Sequence, residues 1–330
     1  MKAVVHQSIA GLKGVRVADV EDREPGAGEV KIRLKTAGLN HRDLFVPVRH
    51  GTEDSAIVLG SDGSGIVQSV GEGVNGVEAG SEVVINPALG WEKNSPAPPE
   101  GFEILGLPDD GTFAEHIIIA AENIEPKPKH LSWEEAGVLP LGALTAYRAL
   151  ITRGRIRSGQ TVFIPGVGSG VATFLVQMAK AAGARVIVTS RSGEKRERAL
   201  ALGADRAIDS NADWQAELEK EEIDLVIDSV GAATWNRSLD ALKRGGTMVV
   251  FGASAGDEVK VNIREFFYGQ YNLLGSTMGS AEEFREMLQF IKRHEIKPVI
   301  DKTFELAEAK QAFQRLEAGE QFGKIGLVIE

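Results

Sequence analysis

The stretch Thr161–Arg191, TVFIPGVGSGVATFLVQMAKAAGARVIVTSR, decides the fold. Thr161–Ile164 is a short β-branched and aromatic run, the composition of a buried strand. A turn containing Gly166, Gly168, Ser169 and Gly170 follows it. Val171, Phe174, Leu175 and Met178 then recur at helical spacing, and ARVIVT makes a second apolar run. A strand, a glycine turn, a helix and a strand form the unit that binds dinucleotides. Glycines let the backbone approach a pyrophosphate, and the helix N-terminus offers free N–H groups and a positive dipole end. The pattern is imperfect, because the third glycine position of G-x-G-x-x-G, counted from Gly166, is Val171, and Ala172 comes one place later. A plain structural turn is the rival reading; the complete unit favours nucleotide binding at Gly166, Gly168, Ser169, Gly170 and Val171.

The end of the second strand selects between cofactors. NAD sites place Asp or Glu there for the ribose 2′-hydroxyl. Here VTSRSGEK offers Ser190 and Arg191, with Lys195 close behind. No carboxylate repels a 2′-phosphate and two cations can pair with it, so NADPH is the expected cofactor. Arg191 and Lys195 as ordinary surface charges is the alternative.

Outward from this unit the texture continues as alternating strand and helix: a helix through EKRERALALG, a weak strand RAID, then DLVIDSV, GTMVVFG and NLLGSTM. Such alternation predicts a parallel sheet with helices on both faces. Before about residue 125 the chain reads as short strands separated by glycine turns, among them EVKIRLKTAGLN and FAEHIIIA, the pattern of a small barrel. After residue 278 come the helix AEEFREMLQFIKRH, the strand KTFEL, a helix through AEAKQAFQRLEAG and the strand KIGLVI. The expected organisation is a first domain over 1–125, a dinucleotide domain over 126–278, and a return to the first domain over 279–330. Asn86–Asp110 is a proline-rich loop.

Composition narrows the function. A chain of 330 residues is long enough for two domains. No run of 18 apolar residues spans a membrane, and MKAVVHQSIA lacks a signal-peptide core, so the expected location is the cytoplasm. The net charge of −10 argues against a nucleic-acid partner. With 0 Cys there is no disulfide and no thiolate ligand for a metal.

The order of these pieces resembles the medium-chain dehydrogenase/reductase superfamily over essentially the full length, and within it the zinc-free, quinone-oxidoreductase-like branch. LPLGALTAYRAL (139–150), LVIDSVG, GGTMVVFG and the Asn-x-x-Asp of Asn40 and Asp43 carry the resemblance. It implies a two-domain α/β protein, a GroES-like β-barrel joined to a Rossmann doubly wound parallel sheet. In the zinc-dependent relatives a Cys stands at the position of Asn40, and a Gly-His-Glu follows it. Here the His position is Ser61 and the Glu position is Asp62. The third ligand falls in LPLGALTA, which has no residue to bind zinc. The expectation is no metal; a makeshift site from His41, Asp43 and Asp62 is the alternative. For Asp62 itself, a group that caps or hydrogen-bonds the backbone is the preferred reading.

Asn40 can offer amide donors to a substrate oxygen or the nicotinamide ribose, or be a turn residue. Asp43 is a supporting group or a helix-start carboxylate. By resemblance Thr145 packs on the nicotinamide, Gly252 and Ala253 pass its amide, and Lys324 reaches the pyrophosphate. Together these imply an NADPH-dependent oxidoreductase that delivers hydride to a quinone, enone or similar small hydrophobic electrophile without zinc. Reduction of enoyl thioesters or carbonyls is the nearest alternative, and a non-catalytic NADPH-binding sensor or structural protein the more distant one. NLLGSTM as an exposed edge strand predicts a homodimer.

Overall fold

The computed structural model describes residues 1–329. They form two units, one made of 1–142 with 279 onward, the other of 143–278.

The first unit opens with β1 (Lys2–His6), β2 (Val15–Asp19) and β3 (Glu29–Leu39). A 3-10 turn, His41–Leu44, runs into the short helix α1 (Val46–Arg49). There follow β4 (Ile57–Val58), β5 (Asp62–Val70), β6 (Glu82–Ile85), β7 (Ala88–Leu89), β8 (Glu103–Ile104), β9 (His116–Ala120) and β10 (Ile124–Pro126). The helix α2 (Trp133–Gly137) precedes α3 (Pro140–Tyr147), along which the chain passes into the second unit. That unit alternates β11 (Thr161–Ile164), α4 (Gly170–Ala181), β12 (Arg185–Ser190), α5 (Gly193–Ala201), β13 (Arg206–Asp209), α6 (Trp214–Leu218), β14 (Ile223–Asp228), α7 (Trp235–Ala241), β15 (Leu242–Val250), α8 (Ile263–Gly269) and β16 (Asn272–Gly275). The chain then returns with α9 (Ala281–Arg293), β17 (Ile300–Glu305), α10 (Ala309–Ala318) and β18 (Lys324–Val328).

In the second unit the strands lie in the order β13-β12-β11-β14-β15-β16, all parallel. This is the doubly wound order of the dinucleotide-binding fold, with its reversal point beside β11. Phe163, Ile187, Val226 and Met248 line one core of this sheet, with Trp214 edge-on to Phe163 at 5.1 Å between ring centroids. β16 is the outermost strand.

The first unit is built on one large sheet, β10-β6-β5-β3-β18-β17, with β9 also paired to β3. β3 alternates Val30, Ile32 and Leu34 into a core shared with Ile85, Phe113, Phe313 and Leu327. Its glycine Gly38 has a steric reason. A Cβ there would lie 2.8 Å from the Cα of Val138 and 3.2 Å from the Cβ of Asp62. The backbone after α2 is thus packed directly on β3. Residues 126–142 belong to this unit for the same reason, so the first unit extends beyond the expected limit of 125. Within the proline-rich loop β7 and β8 pair, Ala88 with Ile104 and Leu89 with Glu103.

Candidate active site

Three strands bring the residues of AGLNHRDL to the far end of the chain. β18 pairs antiparallel with β3, Ile325 opposite Leu39 and Gly326 opposite Gly38. On the other side β5 pairs with β3, Asp62 opposite Gly38. Asn40 just beyond β3, Asp62 at the start of β5 and Lys324 at the start of β18 are therefore neighbours, although Lys324 lies 284 residues from Asn40.

The side chains form a closed network. Lys324 Nζ donates to Asn40 Oδ1 at 2.6 Å and to Asp62 Oδ2 at 2.9 Å. Asn40 Nδ2 donates to the same Asp62 oxygen at 2.9 Å, and the Leu141 backbone N–H donates to Asp62 Oδ1 at 2.7 Å. Asp62 is fully buried, Lys324 is 3% exposed and Asn40 7%. A buried carboxylate and ammonium coexist only where such contacts replace water.

The adjoining turn adds two charges. Asp43 Oδ2 accepts the Asn40 N–H at 2.7 Å, and the Asp43 N–H donates to the Asn40 carbonyl, so the turn is latched at both ends. Burial pushes the Asp43 carboxyl up from 3.8 to about 6, against the opposing pull of Arg42 and the Asn40 N–H. Arg42 is half-buried. Its Nη1 donates to Ser61 Oγ and to the Leu105 carbonyl at 2.9 Å, and Ser61 Oγ also donates to that carbonyl at 2.6 Å. Burial lowers the affinity of the Arg42 guanidinium for its proton, though not to the point of deprotonation.

This donor set does not fit a zinc ion. Asn40 and Ser61 stand at two ligand positions, and there is no cysteine. Both oxygens of Asp62 are already engaged by N–H donors, and a lysine ammonium lies among them. Among the described residues no group of three or more His, Asp or Glu is placed to hold a metal ion.

Two of the expected site residues have partners within the protein. Lys324, expected at a pyrophosphate, is held by Asp62 and Asn40. Asn40, expected either to offer amide donors or to be a turn residue, gives one N–H to Asp62 and directs its amide nitrogen to the Gly38 carbonyl at 3.5 Å. The register across β18, β3 and β5 decides both. Asp62 receives a backbone N–H, the kind of role its sequence position suggests.

The second unit carries the glycine turn on β11. Gly166 and Gly168 have φ of 77° and 142°, where a side chain would be strained. The Gly166 N–H donates to Thr189 Oγ1 at 3.0 Å, and the Ser169 side chain caps α4 by accepting the Ala172 N–H at 3.1 Å. Gly170 and Val171 are the first two residues of α4. The turn thus exposes backbone to a phosphate at a helix N-terminus, and it fits a dinucleotide. Ser190, buried, ends β12; Arg191 beyond it is exposed, and Lys195 lies in the first turn of α5. No carboxylate stands at the end of β12, although Asp209 of the neighbouring β13 is paired there with Arg196 at 3.0 Å.

Gly252 and Ala253 follow β15; a Cβ on Gly252 would lie 2.9 Å from the Ser229 carbonyl oxygen. Thr145 is buried on α3, its hydroxyl 4.0 Å from Met278 Sδ. Sequence reasoning missed Asp228, which fixes the turn after β14. Its carboxylate accepts the Val230 and Gly231 N–H groups and the hydroxyls of Thr234 and Ser238, at 2.7 to 2.9 Å. A lone Asp at the end of an apolar strand, followed by SVG, was the available signal. Arg42 was also passed over, within the segment Asn40–Asp43 that supplied three other candidates.

Residues 26–129 match the Alcohol dehydrogenase GroES-like domain family, and residues 170–293 match Zinc-binding dehydrogenase. A zinc-type alcohol dehydrogenase-like protein of Schizosaccharomyces pombe is 33% identical over 100% of this chain and 99% of its own. The acryloyl-coenzyme A reductase of Metallosphaera sedula is 30% identical over 98% of this chain and 99% of its own. The crystal structure of an NAD-dependent alcohol dehydrogenase superimposes with a TM-score of 0.93 at 37% identity, covering 100% of both chains.

Proposed function

Because the chain belongs to the medium-chain dehydrogenase/reductase superfamily, we propose that it is an NADPH-dependent, zinc-independent reductase of conjugated acceptors, in the quinone-oxidoreductase-like branch. The family makes it an oxidoreductase that uses a pyridine nucleotide. The observation that carries the finer reading is Lys324, whose ammonium, together with Asn40 and Asp62, fills the cluster where metal ligands would have to converge.

Bound NADPH supplies the hydride. Gly166, Gly168, Ser169, Gly170 and Val171 would hold its pyrophosphate, and Ser190, Arg191 and Lys195 its 2′-phosphate. The crystallised relative is described as NAD-dependent. The absence of a carboxylate at the end of β12, with the exposed Arg191 there, supports NADPH for this chain. Thr145, Gly252 and Ala253 remain the proposed neighbours of the nicotinamide.

The acceptor class follows from charge. Without a metal, an isolated alkoxide lacks the Lewis acid that holds it. A quinone or an α,β-unsaturated carbonyl compound spreads the arriving charge over a conjugated system and needs less. Enoyl thioesters are conjugated acceptors too, and the acryloyl-coenzyme A reductase relative favours including them.

The test is NADPH oxidation with 1,4-benzoquinone, 2-cyclohexenone and crotonyl-CoA, and NADP⁺ reduction with ethanol, before and after chelation, with elemental analysis. Reduction of a conjugated acceptor that survives chelator, with negligible ethanol oxidation and no stoichiometric zinc, is expected. One tightly held zinc per chain whose removal abolishes activity, or efficient ethanol oxidation, overturns the reading.

A further inference from the structure

Of the two cations in the cluster, only Lys324 has a carboxylate in direct contact. Lys324 is sealed, and its ammonium is matched by Asp62 at 2.9 Å. Arg42 differs on each count. It remains partly exposed, and no carboxylate lies within ion-pair distance of it among the described residues. Its firm contacts are neutral oxygens, Ser61 Oγ and the Leu105 carbonyl, both reached by Nη1. Nη2 reaches only the Ile104 carbonyl, at 3.5 Å. Nε has no partner in the protein, yet it is not among the buried unpartnered atoms, so solvent reaches it.

With Nη1 engaged, the Nε–Nη2 edge keeps only the long contact with the Ile104 carbonyl. That edge is a two-pronged donor with the geometry of a carboxylate or an enolate oxygen. Anchoring by Ser61 and Leu105 fixes its direction before anything binds, which is how a donor avoids reorganisation cost. Asp43 and Asp62 offset part of the Arg42 charge, and Arg49 on α1 adds to it.

We propose that the Nε–Nη2 edge of Arg42 is the receptor for the acyl oxygen of an α,β-unsaturated acyl substrate, a thioester or related carbonyl compound. This rests on the proposed reductase function and narrows it. The β-carbon gains a hydride from NADPH, and the C=C electron pair moves to the carbonyl oxygen as an enolate. A solvent proton then goes to the α-carbon, leaving a saturated acyl compound and NADP⁺. Arg42 meets the oxygen while it carries the negative charge, so its contribution is larger in the transition state than in the ground state.

Butyrate is the probe for binding, a saturated carboxylate that needs neither cofactor nor turnover. Calorimetry should detect its binding to the wild-type protein, with at least a tenfold loss in Arg42→Gln. With crotonyl-CoA, Arg42→Gln should lower kcat by about 100-fold with little change in KM, while NADPH affinity read by fluorescence stays the same. Arg42→Lys, which keeps the charge but not the fork, should fall between and also serves if the Gln variant does not fold. Absence of butyrate binding in the wild type, equal binding by the Gln variant, or an unchanged kcat overturns the proposal. If no conjugated acceptor is reduced but butyrate binding depends on Arg42, the reductase reading falls and the oxyanion receptor stands.

Discussion

Replacing Asp43 with Asn should make the first unit more stable relative to wild type as the pH rises. The Asp43 carboxyl is buried, and burial raises it from 3.8 to about 6. A carboxyl with a raised folded-state value binds its proton more tightly in the native chain than in the unfolded one. Its favourable contribution is therefore complete below about 3.8 and lost as pH rises through about 6. The whole rise corresponds to about 3 kcal/mol. Between pH 5 and pH 7.5 the effect is smaller, because at pH 5 the native group is about nine-tenths protonated and the unfolded one almost wholly ionised. That leaves about 1.4 kcal/mol present at pH 5 and absent at pH 7.5. Asn cannot ionise and can still accept the Asn40 N–H through its amide oxygen. The stability difference between variant and wild type should therefore shift by about 1.4 kcal/mol in favour of the variant over this interval. Urea unfolding at both pH values checks this, in a background with Trp214→Phe and Trp235→Phe. Only Trp91 and Trp133, both in the first unit, then report. A difference that does not change with pH, or that moves the other way, refutes the account of Asp43.

Truncating Arg191 to Ala should weaken NADPH binding by about 1.5–3 kcal/mol, the scale of a hydrogen bond to a charged group, and leave NADH binding nearly unchanged; fluorescence titrations with both cofactors decide it, and equal losses argue against a 2′-phosphate contact. Lys324→Met should destabilise the first unit by about 3–5 kcal/mol, because it strands Asp62 in the core. Adding Asp62→Asn should return part of that loss, and denaturation of both single variants and the double variant measures the coupling. Gly38→Ala should cost about 1–3 kcal/mol, since its Cβ would meet the backbone of Val138, and the same denaturation assay reads it.

Local pattern was enough for much of the fold. The glycine turn between two apolar strands, with a helix of regular spacing after it, occurs in the structure as β11, α4 and β12. Even the weak run RAID is a strand, β13, because β12 beside it supplies a full ladder. The paired β7 and β8 were not legible, since each is two residues long and their partners lie 14 to 16 residues apart. The site was half legible for a related reason. Asn40 and Asp43 stand out within one turn, and Asp62 stands out against the resemblance. Period-2 alternation tells which face of a strand a residue occupies, not which strand lies beside it. The neighbourhood of Lys324 depends on β18 entering between β3 and β17. Nothing within KIGLVI itself states that partner.

On the proposed zinc-independent reading, the placement of Lys324 would account for a preference for activated acceptors. A metal at a carbonyl is worth several kcal/mol because it brings an ion with an open coordination position. On that proposal the chain's substitute would be a monovalent ammonium, most of whose field is spent on Asp62 and on the Asn40 amide. What the cluster could offer an acceptor is the guanidinium of Arg42, which has no direct carboxylate contact although Asp43 and Asp62 offset part of its charge. A hydrogen bond to such a group contributes about 1.5–3 kcal/mol, less than a metal supplies to a localised alkoxide. An acceptor whose conjugation already spreads the charge makes up the difference; an unactivated alcohol does not. On the proposed function, the choice of substrate class would follow from how far the charges in this cluster cancel.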